Sequence, residues 1–242
     1  MLPLPSSSPS IQQKLPQMGL RVDQDEPSSM IAYSLVSDHY FNNVLDFMKQ
    51  EEPTRDAAQL MQSDVESDVV HTFHDDEAEF TVTSMWALQF HALRRLLMTS
   101  SGEAEVSIDA MHALELEFAR SLSASAKRES GAGRSQAHFA ETMDGRLIIK
   151  VTVQAVEFEQ FKECAQAYFS YMSSVLQGRR ASALCPIVGM FECASVTPTR
   201  TTRTQAIVMV NLFQGRNIPS QLTFDLKVRV LFISIAVFLT SC

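Results

Sequence analysis

An Asp-Gly pair between two runs of alternating apolar and polar residues constrains the fold more than any other feature of the sequence. The runs are QAHFAET, residues 136–142, and RLIIKVTV, residues 146–153, and Met143-Asp144-Gly145 separates them. Because aspartate and glycine tolerate the positive φ angles of tight turns, the pattern predicts a β-hairpin. The segment therefore predicts an antiparallel sheet.

The rest of the chain alternates between helical and strand patterns. Residues 27–48, 88–98, 107–122 and 155–178 carry apolar stripes with helical spacing. Residues 67–74, 79–86, 184–196, 205–213 and 222–230 alternate as strands do. The order of helices and hairpins predicts an α+β fold, an antiparallel sheet with packed helices, rather than βαβ units.

Three polar segments are expected at the surface. Residues 49–65 are acidic and polar and are interpreted as a surface linker, and residues 197–204 as a polar loop between two strands. Arg94 and Arg95 are interpreted as the solvated face of a short amphipathic helix.

Composition and the cysteine pattern limit the classes of function. The net charge of -8 argues against an overall affinity for nucleic acid, although a local basic patch is compatible with it. The four cysteines show no paired spacing and are interpreted as free thiols of a reducing compartment. His71 and His74 lie beside acids, but on a strand they point to opposite faces, so no metal site is predicted.

The two ends of the chain differ from its middle. Residues 1–22 are rich in Pro, Ser and Gln and are expected to be disordered. Residues 230–239 are almost entirely apolar but too short for a bilayer span, which needs about 20 residues. Two interpretations stay open: this tail is a buried strand, or the chain stops where a longer protein continues.

Residues 131–212 contain, in order, the parts that a kinase-type nucleotide site requires. Gly131 and Gly133 allow a turn whose backbone approaches phosphates closely, and Lys150 on the following strand would neutralise them. Glu157 on the next helix would hold that lysine, and residues 209–212 follow a later strand. The alternative is a surface lysine and an ordinary acid at a helix N-terminus.

The helical pattern favours one carboxylate as the partner of Lys150. Glu159 shares a polar stripe with Glu163 and Gln166, whereas Glu157 lies one turn before Phe161 at the edge of the apolar stripe. Glu157 is therefore the predicted partner, with Glu159 as the second choice.

Whole segments of the sequence resemble motifs of the phosphatidylinositol-3-phosphate 5-kinases, the type III phosphoinositide kinases. DQDEPSSMIAYSL, residues 23–35, resembles their D-x-D-E-P-[ST]-S-x-I-[AS]-Y-[AS]-L segment. GAGRSQAHFAETMDGRLIIK, residues 131–150, resembles G-G-K-S-x-[AV]-x-F-x-x-T-x-D-x-R-[FL]-I-[IL]-K. The segments FARSLSAS, VEFEQFKECAQAYFSYM, VMVNLFQGR and FDLK are similar to further motifs of the family, in the same order.

The resemblance implies a kinase small lobe over residues 23–227 and a set of functional residues. Lys150 and Glu157 are implied as the catalytic pair. The implied nucleotide-binding residues are Gly131, Gly133, Arg134 and Ser135 in the loop, Lys150, Met209, Val210, Asn211 and Leu212 in the segment linking two lobes, and Asp225 and Lys227 beyond it.

The resemblance also implies an activity, cofactors and a location. The family uses ATP and magnesium to phosphorylate the 5-hydroxyl of phosphatidylinositol 3-phosphate at endosomal and vacuolar membranes. A peripheral, cytoplasmic protein with no transmembrane span is therefore expected. Its metal ligands are expected in a second lobe, not in this chain.

Departures from the family pattern limit that expectation. Arg134 replaces a lysine, Gln136 a glycine and Gln166 a proline, and residues 228–242 form an apolar tail instead of the Gly-x-x-Arg-x-Arg continuation. With no second-lobe motif after Lys227, the chain is expected to transfer no phosphate by itself. The alternatives are a non-catalytic interaction or phosphoinositide-binding module, and an unstable fragment with an exposed apolar tail.

Overall fold

The computed structural model describes residues 22–51, 56–98, 107–128, 138–152 and 156–216. Several predictions fall outside these ranges. They concern the N-terminal segment up to residue 21, the loop residues Gly131, Gly133, Arg134 and Ser135, the pair Asp225 and Lys227, and the apolar tail.

Six helices and seven strands lie within the described ranges. The helices are α1 Pro27–Leu35, α2 Asp38–Gln50, α3 Ala57–Leu60, α4 Ala87–Met98, α5 Ile108–Ser123 and α6 Val156–Leu176. The strands are β1 Val69–His74, β2 Glu79–Met85, β3 Ser125–Arg128, β4 His138–Thr142, β5 Leu147–Thr152, β6 Ile187–Val196 and β7 Thr201–Val210.

All seven strands join one antiparallel sheet in the order β1-β2-β6-β7-β5-β4-β3. Strand β5 is an interior strand, and its Lys150 lies opposite Ile207 on β7 and Phe139 on β4. The predicted α+β class, an antiparallel sheet with packed helices, is confirmed.

The two faces of β5 differ in burial. Leu147 and Ile149 are buried on one face, and Ile149 lines a cavity together with Pro27 at the start of α1. Ile148 and Lys150 alternate with them and are only half-buried. The strand therefore presents Lys150 on the more open face of the sheet.

The hairpin turn is as predicted. Gly145 has a φ of 69°, and its N–H donates to the Thr142 carbonyl at 2.8 Å. Asp144 accepts hydrogen bonds from Thr142 Oγ1 at 2.7 Å and from Ser121 Oγ at 2.8 Å. The same carboxylate thus closes the turn and ties it to helix α5.

The interpretation of residues 49–65 as a surface linker is wrong. They include helix α3, and Ala58, Leu60 and Met61 are buried in the core. The helix begins with a capping box, in which Asp56 Oδ1 accepts from the Gln59 N–H and the Gln59 side chain accepts from the Asp56 N–H. That D-x-x-Q pattern is the sequence signal that identifies the helix.

The predicted loop at residues 197–204 is shorter than expected. The turn is closed by the Thr197 N–H, which donates to the Arg200 carbonyl at 2.8 Å, and β7 begins at Thr201. Threonine is favoured in strands, so residues 201–204 extend the hairpin rather than leave it.

Candidate functional site

Lys150 and Glu157 form an ion pair where β5 faces the first turn of α6. Lys150 Nζ donates to Glu157 Oε1 at 2.5 Å, and the two side chains are 20% and 39% exposed. Glu159 instead accepts from Lys162 at 3.0 Å on the exposed side of the helix. The structure thus pairs Lys150 with the carboxylate that the sequence pattern favours.

The ion pair retains unused hydrogen-bonding capacity. An ammonium carries three N–H donors, and Lys150 has one partner among the described residues. Glu157 Oε2 is buried and has no hydrogen-bond partner in that part of the chain. Lys150 is therefore held in place by a carboxylate while two of its donors remain for another group.

The predicted glycine loop lies outside the described residues, but the strands that it joins are described. Arg128, the last residue of β3, pairs with Phe139 on β4, and Phe139 pairs with Lys150 on β5. Strand β4 begins one residue earlier, at His138. Both ends of the loop therefore leave the sheet at the level of Lys150.

The predicted linking segment, residues 209–212, is mostly bonded within the protein. Met209 and Val210 end β7, the Val210 N–H donates to the Pro186 carbonyl at 3.0 Å, and the Asn211 N–H donates to the Arg146 carbonyl at 2.7 Å. Leu212 is 45% exposed, and within the described ranges its backbone N–H and C=O have no partner. Of the four residues, Leu212 is the one whose backbone can bond a ligand.

A second polar cluster lies in the core between α2, α4, α5 and β6. Glu115 Oε1 accepts from Arg94 Nη2 at 2.7 Å and bonds His91 Nδ1 at 2.6 Å. Arg94 also donates to Tyr40 Oη at 2.9 Å and to the Val188 carbonyl at 2.8 Å. The side chains of Arg94 and Glu115 are 2% and 1% exposed, so this cluster is a buried charged network.

The interpretation of Arg94 and Arg95 as a solvated face is therefore wrong, since both are buried. Helix α4 is buried on several sides, including Leu88, Phe90 and Leu93. Because buried residues surround most of the helix, it has no solvent-exposed face for its arginines. Apolar residues on most sides of a helix are the sequence signal that could have identified the buried network.

Neither a metal site nor a membrane-spanning helix is found in the described ranges. They contain no group of three or more His, Cys, Asp or Glu side chains arranged to hold a metal ion. No helix among them is both long and apolar enough to cross a bilayer. His71 and His74 lie on β1, as predicted.

An antiparallel sheet whose interior strand carries a lysine paired with a helical glutamate is the arrangement of a kinase small lobe. Residues 121–231 match the family model described as phosphatidylinositol-4-phosphate 5-kinase. Together with the relatives below, this match, which covers just under half of the chain, shows that the chain is similar to phosphatidylinositol phosphate 5-kinases.

The similar proteins are phosphatidylinositol-3-phosphate 5-kinases. The chain is 33% identical over 153 residues to 1-phosphatidylinositol-3-phosphate 5-kinase FAB1B of Arabidopsis thaliana, covering 62% of this chain and 8% of that protein. It is 32% identical over 157 residues to the 1-phosphatidylinositol 3-phosphate 5-kinases of Mus musculus and Homo sapiens, covering 64% of this chain and 7% of each relative. The chain therefore spans a small fraction of their length.

Proposed function

We propose that this chain provides the phosphate-binding part of an ATP-dependent phosphoinositide kinase site. The observation that carries the proposal is the ion pair between Lys150 Nζ and Glu157 Oε1 at 2.5 Å. Lys150 would bind the phosphates of ATP with its two remaining N–H donors, and Glu157 would hold the ammonium toward them.

The geometry of the sheet supports a nucleotide beside this pair. Ile148 lies opposite Met209 on the same face as Lys150, and both side chains are half-buried. They would offer an apolar surface to a base, while Leu212 would offer its unbonded backbone groups. Gly131 and Gly133 would cover the phosphates, and Arg134, Ser135, Asp225 and Lys227 would complete the binding residues.

Magnesium is proposed as the metal that accompanies ATP. When bound with ATP, it would supply positive charge that offsets the charge of the phosphates. The described residues offer no cluster of acids for it.

Phosphatidylinositol 3-phosphate is the proposed lipid substrate, with its 5-hydroxyl as the acceptor. The curated relatives are named as kinases of this lipid, whereas the family model carries the name of phosphatidylinositol 4-phosphate. The relatives match a longer part of the chain than the family model does, and this favours phosphatidylinositol 3-phosphate. A peripheral location at endosomal or vacuolar membranes is proposed with it, as the family resemblance implies.

Replacing Lys150 with alanine is expected to weaken ATP binding at least tenfold, because the pair loses the group that faces the phosphates. A tenfold loss corresponds to about 1.4 kcal/mol, within the range of one charge-assisted hydrogen bond. Isothermal titration of the chain with ATP and magnesium measures the change.

Lys162→Ala is the matched control, because it removes another lysine of the same region that pairs with Glu159 and lies 42% exposed. Equal affinities of the Lys150→Ala and Lys162→Ala variants would contradict the proposed site. Tight binding to phosphoinositide vesicles without any ATP binding would support a non-catalytic lipid-binding module instead.

The 242-residue chain by itself is expected to produce no phosphorylated lipid. Its sequence carries no catalytic-loop motif of the D-Y-S-L-L type and no aspartate after Asp225. Phosphoryl transfer requires a residue that orients the nucleophile and ligands for the metal. Radiolabelled ATP with vesicles of phosphatidylinositol 3-phosphate tests this expectation, and lipid product well above that of the Lys150→Ala variant would refute it.

A further inference from the structure

Strand β6 begins with an irregular segment that the neighbouring strands do not fully bond. Ile187 pairs with Met209 of β7, but the next pair is Gly189 with Val208, so Val188 is an extra residue in a β-bulge. On its other side, β6 pairs with β2 only as far as Met190. The backbone groups of residues 187 and 188 that face this side therefore have no strand to bond.

Side chains from two helices take the place of the missing strand. The hydroxyl of Tyr168 on α6 accepts from the Ile187 N–H at 2.8 Å and donates to the Ile187 carbonyl at 2.8 Å. Arg94 of α4 donates to the Val188 carbonyl at 2.8 Å. The start of β6 is thus fixed by a tyrosine and an arginine.

The bulge lies next to the segment that ends β7. The Pro186 carbonyl accepts from the Val210 N–H at 3.0 Å, and the Cys185 thiol donates to the Val210 carbonyl at 3.0 Å. The contacts that fix residues 185–188 therefore also fix the backbone of Val210, just before Asn211 and Leu212.

Tyr168 belongs to the helix that carries Glu157. The two residues are eleven positions apart, which is about 16 Å along an α-helix. Tyr168 is buried, and burial raises the pKa of its phenol, so the hydroxyl keeps its proton and can both donate and accept. The ring packs edge-on against Phe161 and Phe169.

Helix α6 has two hydrogen-bonded attachments to the sheet within the described ranges, at Glu157 and at Tyr168. Its other long-range bonds lead to the region of α3, for example from Ser173 Oγ to the Ala58 carbonyl at 3.0 Å. The bonds to α3 and the buried side chains hold the C-terminal part of the helix, while the two bonds to the sheet fix its distance from β5 and β6. The attachment at Tyr168 thus restricts where Glu157 can lie.

We propose that Tyr168 is a positioning residue that fixes helix α6 against the bulge of β6 and so places Glu157 beside Lys150. The hydroxyl acts through its two bonds to Ile187, while the ring acts as ordinary core packing. The effect on nucleotide affinity rests on the proposed function, but the effect on the ion pair does not.

Tyr168→Phe tests the proposal, because it removes the hydroxyl and keeps the ring. The amide of Ile187 is expected to exchange with solvent at least tenfold faster. The ¹⁵Nζ signal of the Lys150 ammonium is expected to broaden, because the ion pair no longer protects its protons from exchange. Both are measured by NMR on the 242-residue chain, without nucleotide.

Ser173→Ala is the matched control, since Ser173 is buried on the same helix but bonds α3 rather than the sheet. It is expected to leave the Lys150 signal unchanged. If the phenylalanine variant fails to fold, Tyr168→p-aminophenylalanine takes its place, because the aromatic amine donates to the Ile187 carbonyl but accepts poorly from the Ile187 N–H, and a smaller broadening of the Lys150 signal is expected. A Lys150 signal that is as sharp without the hydroxyl as in the unchanged chain overturns the proposal.

A titration with ATP and magnesium separates this proposal from the proposed function. Tyr168→Phe is expected to lower ATP affinity about threefold in the unchanged chain and to have no effect in Glu157→Gln, because both act through one carboxylate. If Tyr168→Phe lowers ATP affinity equally in the unchanged chain and in Glu157→Gln, then Tyr168 does not act by positioning Glu157, and the proposal is overturned. Absence of ATP binding in every variant refutes the proposed function, and the Lys150 signal still decides the role of Tyr168.

Discussion

Replacing Glu115 with glutamine is expected to lower the free energy of unfolding by about 3–5 kcal/mol, the usual cost of breaking a buried ion pair. The glutamine keeps the shape of the side chain but leaves the guanidinium of Arg94, which is 2% exposed, without a counter-charge. Urea unfolding followed by circular dichroism measures the change through the midpoint at constant slope.

Glu117→Gln provides the matched control on the same helix. Glu117 pairs with Arg146 at 2.6 Å, but the two side chains are 58% and 34% exposed. Surface pairs of this kind contribute about 0–1 kcal/mol. Equal losses of stability in the Glu115→Gln and Glu117→Gln variants would show that the buried network has no special role.

A double variant shows whether stability is lost because the Arg94–Glu115 ion pair is absent or because the charge of Arg94 is left buried without a partner. Arg94→Met combined with Glu115→Leu removes both charges and keeps apolar volume in the core. Replacing a whole buried ion pair by apolar residues is often neutral or stabilising. The double variant is therefore expected to be more stable than Glu115→Gln, although Tyr40 and the Val188 carbonyl lose a donor.

Acid is expected to remove about 3 kcal/mol of stability through Glu115 alone, at about 1.4 kcal/mol for each pKa unit. Burial raises the pKa of this carboxyl, but the charge of Arg94 and the hydrogen bond from His91 outweigh burial and lower it from 4.5 to about 2. Because the folded pKa lies below the unfolded one, the contribution is present above pH 4.5 and is lost as the pH falls toward 2.

The measurement is the free energy of unfolding from pH 6 to pH 2 in the unchanged chain and in Glu115→Gln. Other carboxyls contribute to both curves, among them Asp144, whose pKa is lowered by bonds from Thr142, Arg146 and Ser121 that outweigh the effect of burial. The difference between the curves isolates Glu115. Two curves that stay parallel down to pH 2 would contradict the assignment.

Local patterns were sufficient to predict the hairpin and helix α6. The Asp144-Gly145 turn requires a positive φ that few residues adopt, and the stripe containing Phe158, Phe161 and Phe169 matches one face of a helix. Together they place Lys150 and Glu157 seven residues apart across one strand-to-helix connection. The predicted pair was accessible from sequence because it is nearly local in the chain.

The buried network and the bulge could not be predicted from the sequence, because their contacts join residues that are far apart in the chain. Arg94 contacts Glu115 across 21 residues, Tyr40 across 54 and the Val188 carbonyl across 94. No local pattern encodes such contacts, and an arginine pair on a helix is normally solvated. The Val188 bulge likewise depends on where β2 ends, which only the register of the assembled sheet determines.

Asn211 joins the end of β7 to the β4–β5 hairpin through its backbone N–H and its side-chain amide. Its side-chain amide donates to Glu141 Oε1 at 3.0 Å and to the Gly145 carbonyl at 2.8 Å, while its Oδ1 accepts from the Phe213 N–H at 3.0 Å. Because these bonds run between strands, the residues that end β7 and the hairpin that contains Lys150 are held together as one unit. A displacement of Asn211 would therefore also displace the turn that precedes the lysine-bearing strand.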